Sequence, residues 1–157
     1  MSNPAPKAVY DCNVYVQALI SPRGPAAACV EKARTGEVQL IVSSYVLREV
    51  REIHYKVPAR YGITSEGTEK LARSLETIGT AIPNVPAIYT HPIDPDDSHY
   101  IDLAVQANAR LVVSRDRHLL MLMDLARKEG REFRMLFPSL RILDPVEFLR
   151  GLTPDQA

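Results

Sequence analysis

Apolar residues along the chain follow two rhythms that take turns. Compact apolar runs stand at residues 7–11, 38–42, 111–114 and 140–143, and each ends in, or is followed by, an acid or a serine. Runs this short, closed by turn-forming residues, predict strands. Between them, apolar side chains recur every three or four residues, the period of a helix. Residues 13–20 predict a short buried helix stopped by Ser21-Pro22-Arg23-Gly24-Pro25. Pro25 then opens a second helix at its first position, running to Ala33 and ended by Gly36. Ser43 and Ser44 are N-cap candidates for a helix from Tyr45 to about Val57, with Val46, Val50, Ile53 and Val57 on one stripe.

After a break at residues 58–64, a helix is predicted over 66–78, its stripe formed by Leu71, Leu75 and Ile78. Residues 79–96 contain four prolines and predict a loop, with Ala87-Ile88-Tyr89 as a short strand. Helices are then predicted over 97–109 and 116–129, the second stopped at Gly130. Asp144 caps a last helix over 145–152, with Pro145 at its first position. Strands alternating with helices imply an α/β fold, a three-layer α/β/α sandwich around a mostly parallel sheet.

Composition narrows this without changing it. The chain has 157 residues, 46% hydrophobic and 24% charged, which fits one soluble domain over residues 7–152 and excludes disordered, collagenous and coiled-coil classes. Residues 1–6, with two prolines, read as a flexible arm and 153–157 as a tail. No apolar run approaches the roughly 18–20 residues of a membrane span, and the first residues lack a signal-peptide run. Two cysteines, Cys12 and Cys29, are too few for a disulfide scaffold, and no zinc-ligand spacing is present. A cytoplasmic protein is the expectation. Lys and Arg total 19, as do Asp and Glu, so any nucleic-acid contact must rest on local patches.

In parallel sheets, sites form outside the carboxyl ends of the strands. Asp11 ends the first strand, and Asp116 follows the strand at 111–114. Asp97 opens the helix that leads back into that strand, and Glu49 lies one turn inside the helix after the second strand. Each acid taken singly has an ordinary explanation: Asp97 and Asp116 as helix caps, Glu49 as a solvated side chain, Asp94 and Asp96 as turn acids beside Pro95. Together they predict carboxylates converging at one sheet edge. Such a cluster repels itself unless a cation joins it. All-oxygen ligands favour Mg²⁺ or Mn²⁺, which clamp phosphate oxygens and activate water.

Four segments also carry a family likeness. They are Val9-Tyr10-Asp11-Cys12-Asn13-Val14, then the helix Ser44 to Ile53 around Glu49, then Asp94-Pro95-Asp96-Asp97 with Leu103-Ala104, and Leu111-Val112-Val113-Ser114-Arg115-Asp116 with Leu119-Leu120. In this order and spacing the chain resembles the PIN domain family, of the VapC-like kind found as toxins of toxin–antitoxin pairs. The resemblance implies a metal-dependent endoribonuclease with Asp11, Glu49, Asp97 and Asp116 as catalytic, metal-binding acids holding Mg²⁺ or Mn²⁺. It also implies an RNA substrate, an antitoxin protein as partner, and a homodimer. Asn13 and Ser114 are expected in support, since Ser114 keeps the hydroxyl of the family's threonine, while Arg115 adds a cation where a glycine is common. Arg48, Arg51, Arg115 and Arg117 are candidate RNA contacts, with His118 joining the last two as cations flanking Asp116 and a further basic cluster at Arg127, Lys128, Arg131 and Arg134; no histidine or cysteine is expected to be essential to the chemistry. Asp97 is preferred over Asp94 and Asp96 as the metal ligand of its segment.

Two other function classes are weighed against this one. A PIN-like module that binds RNA or protein without cutting stays open. Phosphoryl transfer through an aspartyl phosphate fits less well, because Asp11-Cys12-Asn13 lacks a second acid.

Overall fold

The computed structural model describes residues 4–152; the expected tail and the first half of the expected arm lie outside the described residues. Among them five strands form: β1 (Lys7–Tyr10), β2 (Gln39–Val42), β3 (Thr80–Ala81), β4 (Leu111–Val113) and β5 (Arg141–Leu143). Among the described residues eight helices are interspersed with them: α1 (Cys12–Ile20), α2 (Pro25–Arg34), α3 (Ser44–Lys56), α4 (Ser65–Ile78), α5 (Ser98–Gln106), α6 (Arg117–Leu120), α7 (Lys128–Leu136) and α8 (Pro145–Leu152). Short 3₁₀ turns stand at Ala59–Tyr61, Pro95–Asp97 and Met121–Met123. No helix among the described residues is long and apolar enough to cross a membrane.

The sheet is parallel throughout, in the order β3-β2-β1-β4-β5. Ala8, Val9 and Tyr10 are consecutive and all fully buried, so β1 is covered on both faces, as a central parallel strand must be. On one side, the Tyr10 ring meets Phe148 of α8 edge-on at 5.7 Å and lies 6.1 Å from the ring of Tyr15 in α1. Its hydroxyl donates to the Cys29 carbonyl in α2 at 2.8 Å. One buried side chain thus ties three helices to the central strand, each aromatic pair adding about 1 kcal/mol beyond its buried area. Helix α5 packs over β1, β2 and β4.

Caps fix where the helices begin. Ser43 accepts the Val46 N–H at 3.2 Å and Thr64 the Gly67 N–H at 3.0 Å, starting α3 and α4. Asp144 accepts the Glu147 N–H at 2.8 Å at the start of α8.

Three expectations need correction. Residues 87–89 are not a strand: the Ile88 and Tyr89 N–H groups both donate to one oxygen of the buried Asp102, at 2.9 and 2.8 Å. A side chain from α5 thereby replaces a neighbouring strand as acceptor. The fifth strand is instead β3, two residues paired to β2. Residues 116–129 are not one helix, because α6 ends after one turn and the chain bends at Asp124, whose carboxylate accepts the Ala126 N–H at 2.9 Å. Gly130 does not stop a helix; it is buried inside α7, where a Cβ would stand 2.0 Å from the Asp124 carbonyl oxygen. Its smallness permits close packing there.

Candidate metal centre

Strand order runs outward from β1 in one direction and from β4 in the other. The crevice where it reverses is where open α/β sheets place ligands. The register sets Tyr10 level with Val113, so the residues that follow, Asp11 and Ser114, emerge side by side. Asp11 donates its N–H to Val113 at 2.9 Å. The buried Ser114 hydroxyl donates to Asp11 Oδ2 at 2.7 Å and accepts the Asp116 N–H at 2.9 Å. Asp116 Oδ1 in turn accepts the His118 N–H at 2.8 Å, capping α6. Asn13 Oδ1 accepts the Arg115 N–H at 3.2 Å, bracing the loop after β4 from the start of α1.

Glu49 reaches the same edge from α3. Its Oε1 accepts a hydrogen bond from the Tyr100 hydroxyl, which itself accepts the Cys12 N–H at 3.2 Å. Tyr100 is buried in α5 and was not foreseen from the sequence. Nothing local marks it, since its partners lie 51 and 88 residues away.

Asp97 differs from the other three. It occupies the N-cap position of α5 but makes no capping hydrogen bond. The residue is only 9% exposed, and its Oδ2 is buried without a hydrogen-bond partner. Asp96 beside it is exposed.

Burial is the main influence on these acids, and neighbouring carboxylates add to it at Asp11 and Asp97. Burial, with the charges of Asp116 and Glu49, pushes the Asp11 carboxyl up to about 6 despite the Ser114 hydrogen bond. Burial, then the charges of Asp116, Asp11 and Asp94 and a carboxyl–carboxyl hydrogen bond with Asp116, pushes Asp97 up to about 7. Burial raises Glu49 too, opposed by the Tyr100 hydroxyl. The Cys12 thiol is pushed up to about 12, by burial first and then by Glu49 and Asp11, which makes it inert as a nucleophile.

Among the described residues, the ligand atoms that close to within 4.8 Å of one another are those of Asp94, Asp97 and His118. Asp11, Glu49 and Asp116 act on this edge through space without joining that tight group. Sequence reading set Asp94 aside as a turn acid, and it placed His118 only among the flanking cations. The residues fit a dication on two counts. An orphaned, buried carboxylate oxygen lacks the partner such atoms have in native proteins. The donor set is also rich in carboxylates, and their mutual repulsion is what a bound cation relieves.

Of the arginines expected to meet RNA, Arg115 and Arg117 are exposed beside Asp116. Arg48 lies over the Tyr45 ring, 5.5 Å from its centroid. Arg51 is engaged elsewhere, at 2.8 Å from Glu69 and 2.7 Å from Glu76, and it joins α3 to α4. Arg127 and Lys128 pair locally with Asp124 and Glu132, at 3.6 and 3.7 Å.

A family model described as PIN domain matches residues 7–118, more than two-thirds of the chain. The chain belongs to the PIN domain family. A search of curated proteins returned no match.

Proposed function

We propose that this protein is an endoribonuclease that hydrolyses RNA phosphodiester bonds with Mg²⁺ or Mn²⁺, and that it acts as the toxin of a toxin–antitoxin pair. PIN domains are in general nucleases, which supports the reading. The observation that carries it is Asp97: a buried carboxylate with an unpartnered oxygen, facing Asp116, Asp11 and Asp94. A structural role would have given that oxygen a donor, as the same helix position usually does.

Asp97, Asp11, Asp116 and Glu49 are the residues that would hold the ion. When bound, the ion would supply charge neutralisation at the scissile phosphate and a more acidic water. The protein's own contribution is orientation. Ser114 fixes one oxygen of Asp11, the His118 N–H one oxygen of Asp116, and Tyr100 one oxygen of Glu49. Three acids are therefore held before any ligand arrives, which lowers the cost of assembling the site. Arg115 and Arg117, exposed at the same edge, would bind flanking phosphates, and such contacts weaken as salt rises. Exposed apolar side chains at Met135 and Leu136 of α7 offer a surface for a second protein, whether antitoxin or another copy of the chain.

The test is cleavage of end-labelled structured RNA in Mn²⁺, in Mg²⁺ and in chelator, by the native protein and by Asp11→Asn, Asp97→Asn and Asp116→Asn. The native protein should cut only with an ion, and each variant should be slower by on the order of 100-fold, as for loss of one charge-stabilising group. If two of the three variants cut at the native rate, the reading fails. RNA bound but never cut would favour a non-catalytic module.

A further inference from the structure

His118 and Asp94 face each other across two segments that the strand pattern leaves far apart. His118 stands in the first turn of α6, with its Nδ1 3.4 Å from Asp94 Oδ2. That separation is at the outer edge of hydrogen bonding. It is also the spacing of neighbouring ligands around one ion, since donors about 2.1 Å from a metal stand roughly 3.0–3.4 Å apart. Asp97, with its buried and unpartnered Oδ2, completes a group whose ligand atoms lie within 4.8 Å of one another.

This pairing is built from beneath by His91. That side chain is 1% exposed, and both ring nitrogens are used. Nδ1 accepts the N–H groups of Ile93 and Asp94, at 3.1 and 3.0 Å. Nε2 meets the His118 carbonyl at 2.6 Å. Amide N–H groups only donate and a carbonyl only accepts, so the ring is the tautomer with hydrogen on Nε2. One buried imidazole therefore ties the backbone of Asp94 to the backbone of His118. Second-shell ties of this kind hold metal ligands in position. The pair is reached from solvent, the His118 and Asp94 side chains being 40% and 36% exposed.

We propose that His118 supplies a nitrogen ligand to a divalent transition-metal ion shared with Asp94 and Asp97, so that this centre takes Mn²⁺ in preference to Mg²⁺. The inference rests on the metal-binding part of the function proposed above: Asp97 is common to both ligand sets, and Asp94 and His118 hold a second ion beside the one held with Asp11, Glu49 and Asp116. Mg²⁺ is hard and keeps oxygen ligands, whereas an imidazole nitrogen favours a transition ion, most strongly Fe²⁺, Ni²⁺, Cu²⁺ or Zn²⁺ and more weakly Mn²⁺, which stands lowest in that order but still above Mg²⁺ for a nitrogen donor. A site of oxygens alone would give no such preference through a histidine.

The experiment is calorimetric titration of the full chain with Mn²⁺ and separately with Mg²⁺, without RNA, for the native protein and for His118→Ala and His118→Gln. The His118 side chain is 40% exposed, so truncation should leave the fold intact, and a melt in chelator checks this. The native protein should bind Mn²⁺ at least about tenfold tighter than Mg²⁺. Both variants should lose roughly 10- to 100-fold in Mn²⁺ affinity, the range seen when support for a metal site is removed, while Mg²⁺ affinity stays within about threefold. Electron spin-echo spectra of the Mn²⁺-loaded native protein should show nitrogen coupling that both variants lack. Binding of both ions, unchanged in the variants and without nitrogen coupling, overturns the His118 assignment and leaves the acid centre standing. Binding of neither ion by the native protein overturns the metal reading itself.

Discussion

Replacing Asp97 with asparagine should stabilise the metal-free protein while destroying its activity. The carboxyl is raised from its ordinary 3.8 to about 7, chiefly by burial and then by Asp116, Asp11 and Asp94. At about 1.4 kcal/mol per pH unit, this corresponds to roughly 4 kcal/mol against the ionised form. Water at the open sheet edge screens part of it, so about 1–2 kcal/mol is the expected gain. The sign follows from proton counting. The folded state keeps this proton up to about pH 7, whereas the unfolded chain releases it near 3.8, so native stability falls as pH rises between those values. Asparagine has no such dependence. The variant and the native protein should match near pH 4, diverge as pH rises, and differ most above pH 7. For a chain of this size the difference amounts to roughly 3–6 °C in Tm. No cap is lost, because Asp97 makes no capping bond. Thermal melts in chelator from pH 4 to 8 measure it, and Mn²⁺ at 100 times its Kd should then lift the native protein by about 2.7 kcal/mol. A variant that is less stable than the native protein at pH 8 would refute the reasoning, since Asp97 would then be a structural residue.

Ser114→Ala removes the donor to Asp11, in a buried hydrogen bond, and the acceptor for the Asp116 N–H, in a half-buried one; about 1–3 kcal/mol of stability should go, read by urea titration, with slower RNA cleavage. Tyr100→Phe frees Glu49 and leaves the Cys12 N–H without its partner, so cleavage should fall on the order of tenfold while Tm drops only a few degrees; an unchanged rate would remove Glu49 from the account. Gly130→Ala puts a Cβ 2.0 Å from the Asp124 carbonyl oxygen, a backbone clash that should cost roughly 3 kcal/mol or more, whereas Gly151→Ala, with nothing within 4 Å, should be silent in the same melt.

Most of the sheet was legible because β1, β2, β4 and β5 are apolar runs closed by acids and serines, and α3 and α4 carry clear helical stripes. β3 was not, since two residues form no pattern and the strand exists through its pairing with β2. Residues 87–89 looked like a strand because their apolar character is real, but Asp102 takes their N–H groups from fourteen and thirteen positions along the chain. Gly130 carries the ordinary signature of a helix stop, and only the approach of Asp124 shows its other use. At the site, the acids could be named from their places after strands. That Asp97 does not cap its helix could not be read, because the sequence of a cap and of an uncapped acid is the same. Tyr100, His91 and the Asp94–His118 pair were missed for a related reason: each acts through contacts between segments far apart in the chain.

The chemistry of the cut ends tests the central claim most directly. RNA fragments made by the native protein in Mn²⁺ should carry a 5′-phosphate and a 3′-hydroxyl, because an activated water attacks the phosphate, and chelator should abolish them. Fragments ending in a 2′,3′-cyclic phosphate, or cleavage that persists in chelator, would show that the acids at the edge of β1 and β4 do not hold a hydrolytic metal centre.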